Sequence, residues 1–168
     1  ITPDIVKKYK SLDFKIHLPK GYGDHLGISD SKYIEFGAEI IEDENKILSN
    51  SDALVQLNLL NDNQISNLRE NQILIGSFNS NENKNEIKKI SSKKISVFSL
   101  ELLPRITRAQ SMDILSSQAN LAGYKAVIES FSFFEKAIPM MMTAAGTIPA
   151  AKVLVVGAGV AGLQAIAT

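Results

Sequence analysis

The sequence has no cysteine, which excludes disulfides and thiolate metal sites and fits a reducing compartment. Histidine is scarce: His17 and His25 are too few for a histidine-rich metal site, and neither is given a role. No sign of charge dominates, with 18 basic and 18 acidic residues. A balanced chain gives no electrostatic reason to expect nucleic acid or anionic lipid as the main partner. No repeat of fixed period is visible, and no signal peptide opens the chain. A long unbroken apolar run is also missing. From Ala137 to Thr168 the one charge is Lys152, yet Pro139, Gly146, Pro149 and a cluster of glycines interrupt the stretch. A spanning helix needs about 20 consecutive apolar residues, so this stretch does not read as one.

What is present is 168 residues with 45% hydrophobic content, enough for one core or for one domain and part of a second. The chain begins at Ile1-Thr2-Pro3 without methionine, and Thr168 falls in the first turns of an expected helix. The expectation is a piece of a longer chain, cut at both ends.

The first hundred residues alternate short apolar runs with polar, helix-compatible ones. Thr2, Pro3 and Asp4 suit a helix start, with the helix running to about Leu12. A strand is expected at Phe14–Leu18, a loop at Gly21–Asp24, and a helix from Asp30 to Phe36 that stops at Gly37. Further strands are expected at Ala38–Ile41, Ala53–Leu57, Ile73–Phe78 and Ile95–Leu100, with helical segments at Asn63–Glu70 and Glu82–Ile90. Strands spaced by helices imply a parallel sheet with helices on its faces. Ile73-Leu74-Ile75 reads as a strand buried on both faces. The Asn-, Glu- and Lys-rich stretch 79–89 reads as a solvated helix and loop.

After Pro104 the texture changes. Arg108 to about Ala137 lacks proline and has one glycine, so an extended helix is expected, with a break near Gly123 if the chain crosses between domains. Residues 138–152 read as irregular. Val153-Leu154-Val155-Val156 then reads as a short buried strand running into Gly157-Ala158-Gly159-Val160-Ala161-Gly162, where a helix starts.

Those glycines fit G-x-G-x-x-G between a strand and a helix. Gly157 permits a tight turn, Gly159 lets the backbone approach a pyrophosphate, and Gly162 lets the helix pack close. The helix start offers free N–H groups and a positive dipole end. The competing reading is close helix–strand packing in a fold that binds nothing. The acidic residue that would grip the ribose belongs about 20 residues further on, beyond Thr168, so preference for NAD over NADP is not read from it.

On a helical wheel, Met112, Leu115, Ala119, Ala122 and Ala126 share one face. The opposite face gathers Gln110, Asp113, Ser116, Ser117, Asn120 and Tyr124. Short hydrogen-bonding groups with one carboxylate suit a bound polar ligand, and they equally suit a polar interface between helices or domains. Arg105 and Arg108 fall near the helix start, where a cation gains nothing from the dipole. That favours a specific partner, whether a phosphate or a carboxylate.

The stretch from Leu102 to Gln118, LLPRITRAQSMDILSSQ, together with Ala122–Val127, Thr143–Pro149 and Val156–Gly162, resembles the alpha chain of bacterial NAD(P) transhydrogenases. The resemblance covers the whole chain, densely after about Leu100. It implies an α/β fold: a parallel-sheet, Rossmann/flavodoxin-like first domain at residues 1–104, lacking its first strand; a long linking helix at 105–137 that carries nucleotide-site residues; and the truncated start of a second, NAD-binding Rossmann domain at 138–168. It implies direct hydride transfer between NAD(H) and NADP(H), the latter on a partner component, coupled to proton translocation by a membrane component. Arg105, Asp113 and Ser116 would surround the nicotinamide. Gln110 would face both nucleotides, and Gly157, Gly159, Val160 and Gly162 would hold the pyrophosphate. Gln110 and Asp113 are the implied catalytic residues. No general base is needed when hydride passes between two rings. A homodimer on the cytoplasmic side of the bacterial inner membrane, without metal or nucleic acid, is also implied. A 168-residue piece would bind NAD(H) poorly alone.

Alanine dehydrogenases resemble the same architecture. They use a lysine in a strand similar to Ala53–Leu59 and a histidine after one similar to Ile73–Phe78. Here those stretches read Leu54-Val55-Gln56-Leu57-Asn58-Leu59 and Gly76-Ser77-Phe78-Asn79, without either residue. A non-catalytic nucleotide-binding domain is the other alternative.

Overall fold

The computed structural model describes all residues from Ile1 to Thr168, and they gather into two compact units, Ile1–Leu100 and Glu101–Thr168. The first opens with helix α1 (Pro3–Lys10), where Pro3 has no N–H to leave unpaired, Asp4 sits in the first turn and Lys7, Lys8 and Lys10 in the last. The Thr2 hydroxyl makes no capping bond; its carbonyl instead accepts from the N–H groups of Ile5 and Val6. Strand β1 (Ile16–Pro19), helix α2 (Asp30–Glu35) and strand β2 (Ala38–Ile41) follow. Gly37 adopts φ 100° and ends α2, as its sequence position implies. β1 and β2 pair in parallel, with Ile16 opposite Ala38. Val6, Leu18, Tyr33 and Ala38 form the core beneath them, and the buried Tyr33 donates its hydroxyl to the Ile1 carbonyl at 2.9 Å. His17 lies beside its register partner Glu39, Nε2 to Oε2 at 3.4 Å.

Helix α3 (Glu44–Asn50) is not expected from the sequence. Its signals are short: Asp43 accepts from the Asn45 N–H at 3.0 Å, and Leu48 alone is buried. Strand β3 (Ala53–Gln56), helix α4 (Asp62–Ser66), strand β4 (Ile73–Gly76), helix α5 (Lys84–Ser92) and strand β5 (Ser96–Ser99) complete the unit, with strand order β3-β4-β5, all parallel. α4 begins in a reciprocal capping box between Asn61 and Gln64. Lys93 donates to the carbonyls of Ile65, Ser66 and Leu68, a cation at the end of α4 where the dipole favours one.

Leu54, Leu74 and Val97 form one cross-strand row of this sheet, and Val55, Ile75 and Phe98 the other. The first row packs into a core built with Leu48, Ile65, Leu68, Phe78 and Ile90. The second is open: Val55 is 72% exposed and Phe98 55%. The expectation of a β4 buried on both faces is therefore corrected. Leu74 is fully buried while Ile73 is 39% exposed, because the helices of this unit cover one face of the sheet. Gln72, the one buried polar side chain, accepts from the Arg69 N–H and donates to the carbonyls of Leu48 and Ser51.

In the second unit the expected helix from Arg108 is corrected. Thr107–Met112 is a 3₁₀ helix, and helix α6 runs from Ile114 to Phe133. It passes through Gly123 without a break; the change of direction lies at Asp113, with φ −75° and ψ 90°. The stretch expected to be irregular contains an antiparallel hairpin, β6 (Met141–Thr143) with β7 (Gly146–Ile148). The Thr143 hydroxyl closes its turn, accepting from the Ala145 N–H and donating to the Gly146 carbonyl. Val153–Val156 forms no strand, and Leu154 and Val156 are 87% and 90% exposed. No strand among residues 1–168 lies beside it, so its N–H groups have no ladder to join. Helix α7 (Val160–Ala167) closes the unit. No helix is long and apolar enough to cross a membrane.

Candidate nucleotide site

The turn from the 3₁₀ helix into α6 is organised by one carboxylate. Asp113 Oδ1 accepts the Ser116 N–H at 2.9 Å, and Oδ2 accepts the Ser116 hydroxyl at 2.7 Å. The Ser117 N–H and hydroxyl both donate to the Asp113 carbonyl. Arg105 brings Nε to 3.9 Å from Asp113 Oδ2. The backbone and side-chain hydrogen bonds from Ser116 hold the Asp113 carboxyl below the usual carboxylate range, and Arg105 adds to that. Ala109 is buried and anchors the 3₁₀ turn. Arg105, Ile106, Thr107, Ala109, Gln110 and Asp113 line one open hollow of ≈ 370 Å³.

Arg105, Gln110 and Asp113 thus come together at one hollow, and Ser116 is tied to it through Asp113. The route differs from the wheel. Gln110 and Asp113 precede α6 and meet Ser116 through the turn, not along a shared helical face. Nor do Arg105 and Arg108 stand at the start of this helix, since α6 begins at Ile114. The apolar face drawn through Met112, Leu115, Ala119, Ala122 and Ala126 is not the buried one: Met112 is 51% and Leu115 42% exposed. Gly123 and Val127, one turn apart, are the buried residues of α6.

At α7 the three glycines separate by cause. Gly157 has φ 105°, a conformation that disfavours any residue with a Cβ. At Gly162 a Cβ would stand 2.0 Å from the Gly157 carbonyl oxygen, so the turn and the helix can meet only there. Gly159 is extended, at φ −77° and ψ −173°, and a Cβ on it would touch nothing within 4 Å. The protein's own packing requires the first two and leaves the third unexplained; a ligand lying close to the backbone explains it. Gly159 is also the N-cap of α7. Its carbonyl accepts from Leu163, which leaves the N–H groups of Val160, Ala161 and Gly162 without partners inside the helix. A phosphate finds donors and a positive dipole end there.

Sequence reasoning misses the pairing of α6 with α7: Asn120 Nδ2 donates to Gln164 Oε1 at 2.9 Å, and Gly123 lies against the Ala161 backbone. The available signal is a lone glycine in the interior of a long helix, which reads equally as a break.

A family model described as alanine dehydrogenase/PNT, N-terminal domain, matches residues 1–122, and its C-terminal-domain companion matches residues 126–168. The chain is 43% identical to an NAD(P) transhydrogenase subunit alpha of Rhodospirillum rubrum over 100% of its own length and 45% of the relative's. It superposes on the crystal structure of transhydrogenase from Sinorhizobium meliloti with a TM-score of 0.91 and 44% identity, covering 99% of this chain and 49% of that one. An L-alanine dehydrogenase structure shares the fold at TM-score 0.83 and 16% identity, covering 99% of this chain and 46% of that one. The chain spans about half the length of these proteins.

Proposed function

This chain belongs to the alanine dehydrogenase/PNT family, and we propose that it is the opening part of the NAD(H)-binding component of a proton-translocating NAD(P) transhydrogenase. The observation that carries the reading is the convergence of Arg105, Gln110 and Asp113 on one hollow, with Ser116 fixed beside them by two hydrogen bonds. Residues 1–104 are then the N-terminal α/β domain, 105–137 the link that carries the nicotinamide pocket, and 138–168 the opening of the nucleotide-binding domain.

These residues fit a nicotinamide dinucleotide. The turn at Gly157–Gly162, with Val160 at the helix start, supplies unpaired N–H groups and an unobstructed approach over Gly159 for a pyrophosphate. The hollow at Asp113 supplies a carboxylate, a guanidinium and a side-chain amide for a ring carboxamide. When bound, NAD(H) supplies the hydride chemistry itself. Asp113 holds the Ser116 hydroxyl in one orientation. Arg105 balances the Asp113 charge, and Gln110, which is exposed, stands where a second nucleotide on a partner component would approach. No residue here needs to move a proton, since the protein's task is position and electrostatics. Coupling to proton movement, the NADP(H)-binding and membrane-spanning partners, a homodimer and a place on the cytoplasmic face of the bacterial inner membrane follow from the transhydrogenase reading.

The family also holds alanine dehydrogenases, so the test separates the two. The full-length protein with its partner components is given NADPH and an NAD⁺ analogue, then NAD⁺ with L-alanine alone. Reduction of the analogue without alanine supports the reading; alanine-dependent NADH formation overturns it.

A further inference from the structure

Helix α6 carries the candidate nicotinamide pocket at its N-terminus, and α7 carries the candidate pyrophosphate turn at its own. Two contacts one turn apart lock these helices together. A Cβ on Gly123 would stand 2.2 Å from the Ala161 carbonyl oxygen and 3.0 Å from its Cα, so α6 and α7 approach backbone to backbone. One turn earlier on α6, Asn120 Nδ2 donates to Gln164 Oε1 at 2.9 Å. Gln164 is itself oriented: its Nε2 reaches Thr168 Oγ1 at 3.2 Å, and that hydroxyl donates back to the Gln164 carbonyl at 2.8 Å. Glycine is a poor helix former, so its place inside a 20-residue helix needs a reason, and Ala161 supplies it. Asn120 and Gly123 on α6 thus face Ala161 and Gln164 on α7, a pair at i, i+3 against a pair at i, i+3.

We propose that Gly123, Asn120 and Gln164 are positioning residues that set the distance between the nicotinamide and pyrophosphate subsites of one bound dinucleotide. The proposal rests on the NAD(H) reading of the site. A dinucleotide joins its two ends covalently, so it reports any change in the spacing of the two subsites. A ligand that occupies the pyrophosphate subsite without a nicotinamide does not. ADP-ribose is such a ligand. Gly123→Ala pushes the helices apart at their closest point, and Asn120→Ala removes the hydrogen bond without adding volume.

The test measures binding of NADH and of ADP-ribose to the full-length protein by calorimetry, for the wild type, Gly123→Ala, Asn120→Ala and Gln164→Ala, with thermal melting alongside. NADH affinity should fall about tenfold in each variant while ADP-ribose affinity changes less than about twofold, because misplacement of the reacting end weakens only the ligand that spans both subsites. Should Gly123→Ala fail to fold, the two milder variants carry the test. Equal losses for both ligands, or no loss for either, overturn the positioning role. A wild type that binds neither ligand refutes the NAD(H) reading itself, and the spacing proposal with it.

Discussion

Asp113 grips Ser116 twice, through its N–H at 2.9 Å and its hydroxyl at 2.7 Å, so one carboxylate both starts α6 and fixes a hydroxyl beside the candidate pocket. Asparagine caps a helix about as well as aspartate. Asp113→Asn should therefore leave the melting temperature of the full-length protein within about 2 °C of wild type, a shift below that of a 1 kcal/mol loss. It removes the charge that faces Arg105 and one acceptor of the Ser116 hydroxyl. Hydride transfer should fall roughly 100-fold, the scale of a misplaced reacting group. Transfer at the wild-type rate would show Asp113 to be a cap and nothing more.

The pH dependence follows from the same contacts. The Asp113 carboxyl is held below its ordinary range, chiefly by the hydrogen bonds from Ser116. Its ionised form then stabilises the fold at all pH values above that range, and the stabilisation is lost only as pH falls through the lowered value. The difference in stability between wild type and Asp113→Asn should stay flat from about pH 5 to 8 and shrink only in acid. A step in that difference near neutral pH would contradict the hydrogen-bonding described.

Two glycine substitutions should part company. Gly162→Ala meets the Gly157 carbonyl at 2.0 Å and must disturb the turn, lowering both thermal stability and NADH affinity. Gly159→Ala meets nothing, so thermal melting should be unchanged while NADH affinity falls by at least about tenfold, since only the ligand needs that space. Melting curves and calorimetry on the two variants read this directly. Equal NADH affinity in Gly159→Ala and wild type would remove the reason to place a ligand at this turn.

Gln72 holds the junction of α3, β3 and the turn before β4 with three hydrogen bonds from a buried amide. Gln72→Leu leaves the Leu48 and Ser51 carbonyls and the Arg69 N–H to find other partners. It should cost about 3 kcal/mol of unfolding free energy in urea denaturation, the scale of unsatisfied buried polar groups. A loss below about 1 kcal/mol would mean that water reaches these groups.

Much of the first unit is legible because its strands carry β-branched and apolar residues at short intervals between capped helices. Ala38–Ile41 and the Gly37 stop stand where the sequence puts them. Helix α3 is hidden by its single core residue, Leu48, which leaves no periodicity to read. The hairpin at Met141–Ile148 is hidden because its strands are three residues each and fully exposed, so they show no alternation. Residue types around the candidate site are legible, but their geometry is not. A continuous wheel joins Gln110 and Asp113 to Ser116, whereas the backbone turns at Asp113. Gly123 reads as a weak point in a helix because a sequence does not display the partner helix that needs the space.

The most direct test of hydride transfer uses NADPH deuterated at the transferring position of C4, the full-length protein, its partner components and an NAD⁺ analogue, with mass spectrometry of the reduced product. The account predicts that the deuterium arrives in the analogue without exchange with water and without L-alanine, and that Asp113→Asn slows its arrival. A product that carries solvent hydrogen in its place, or one that forms only when alanine is added, would contradict it.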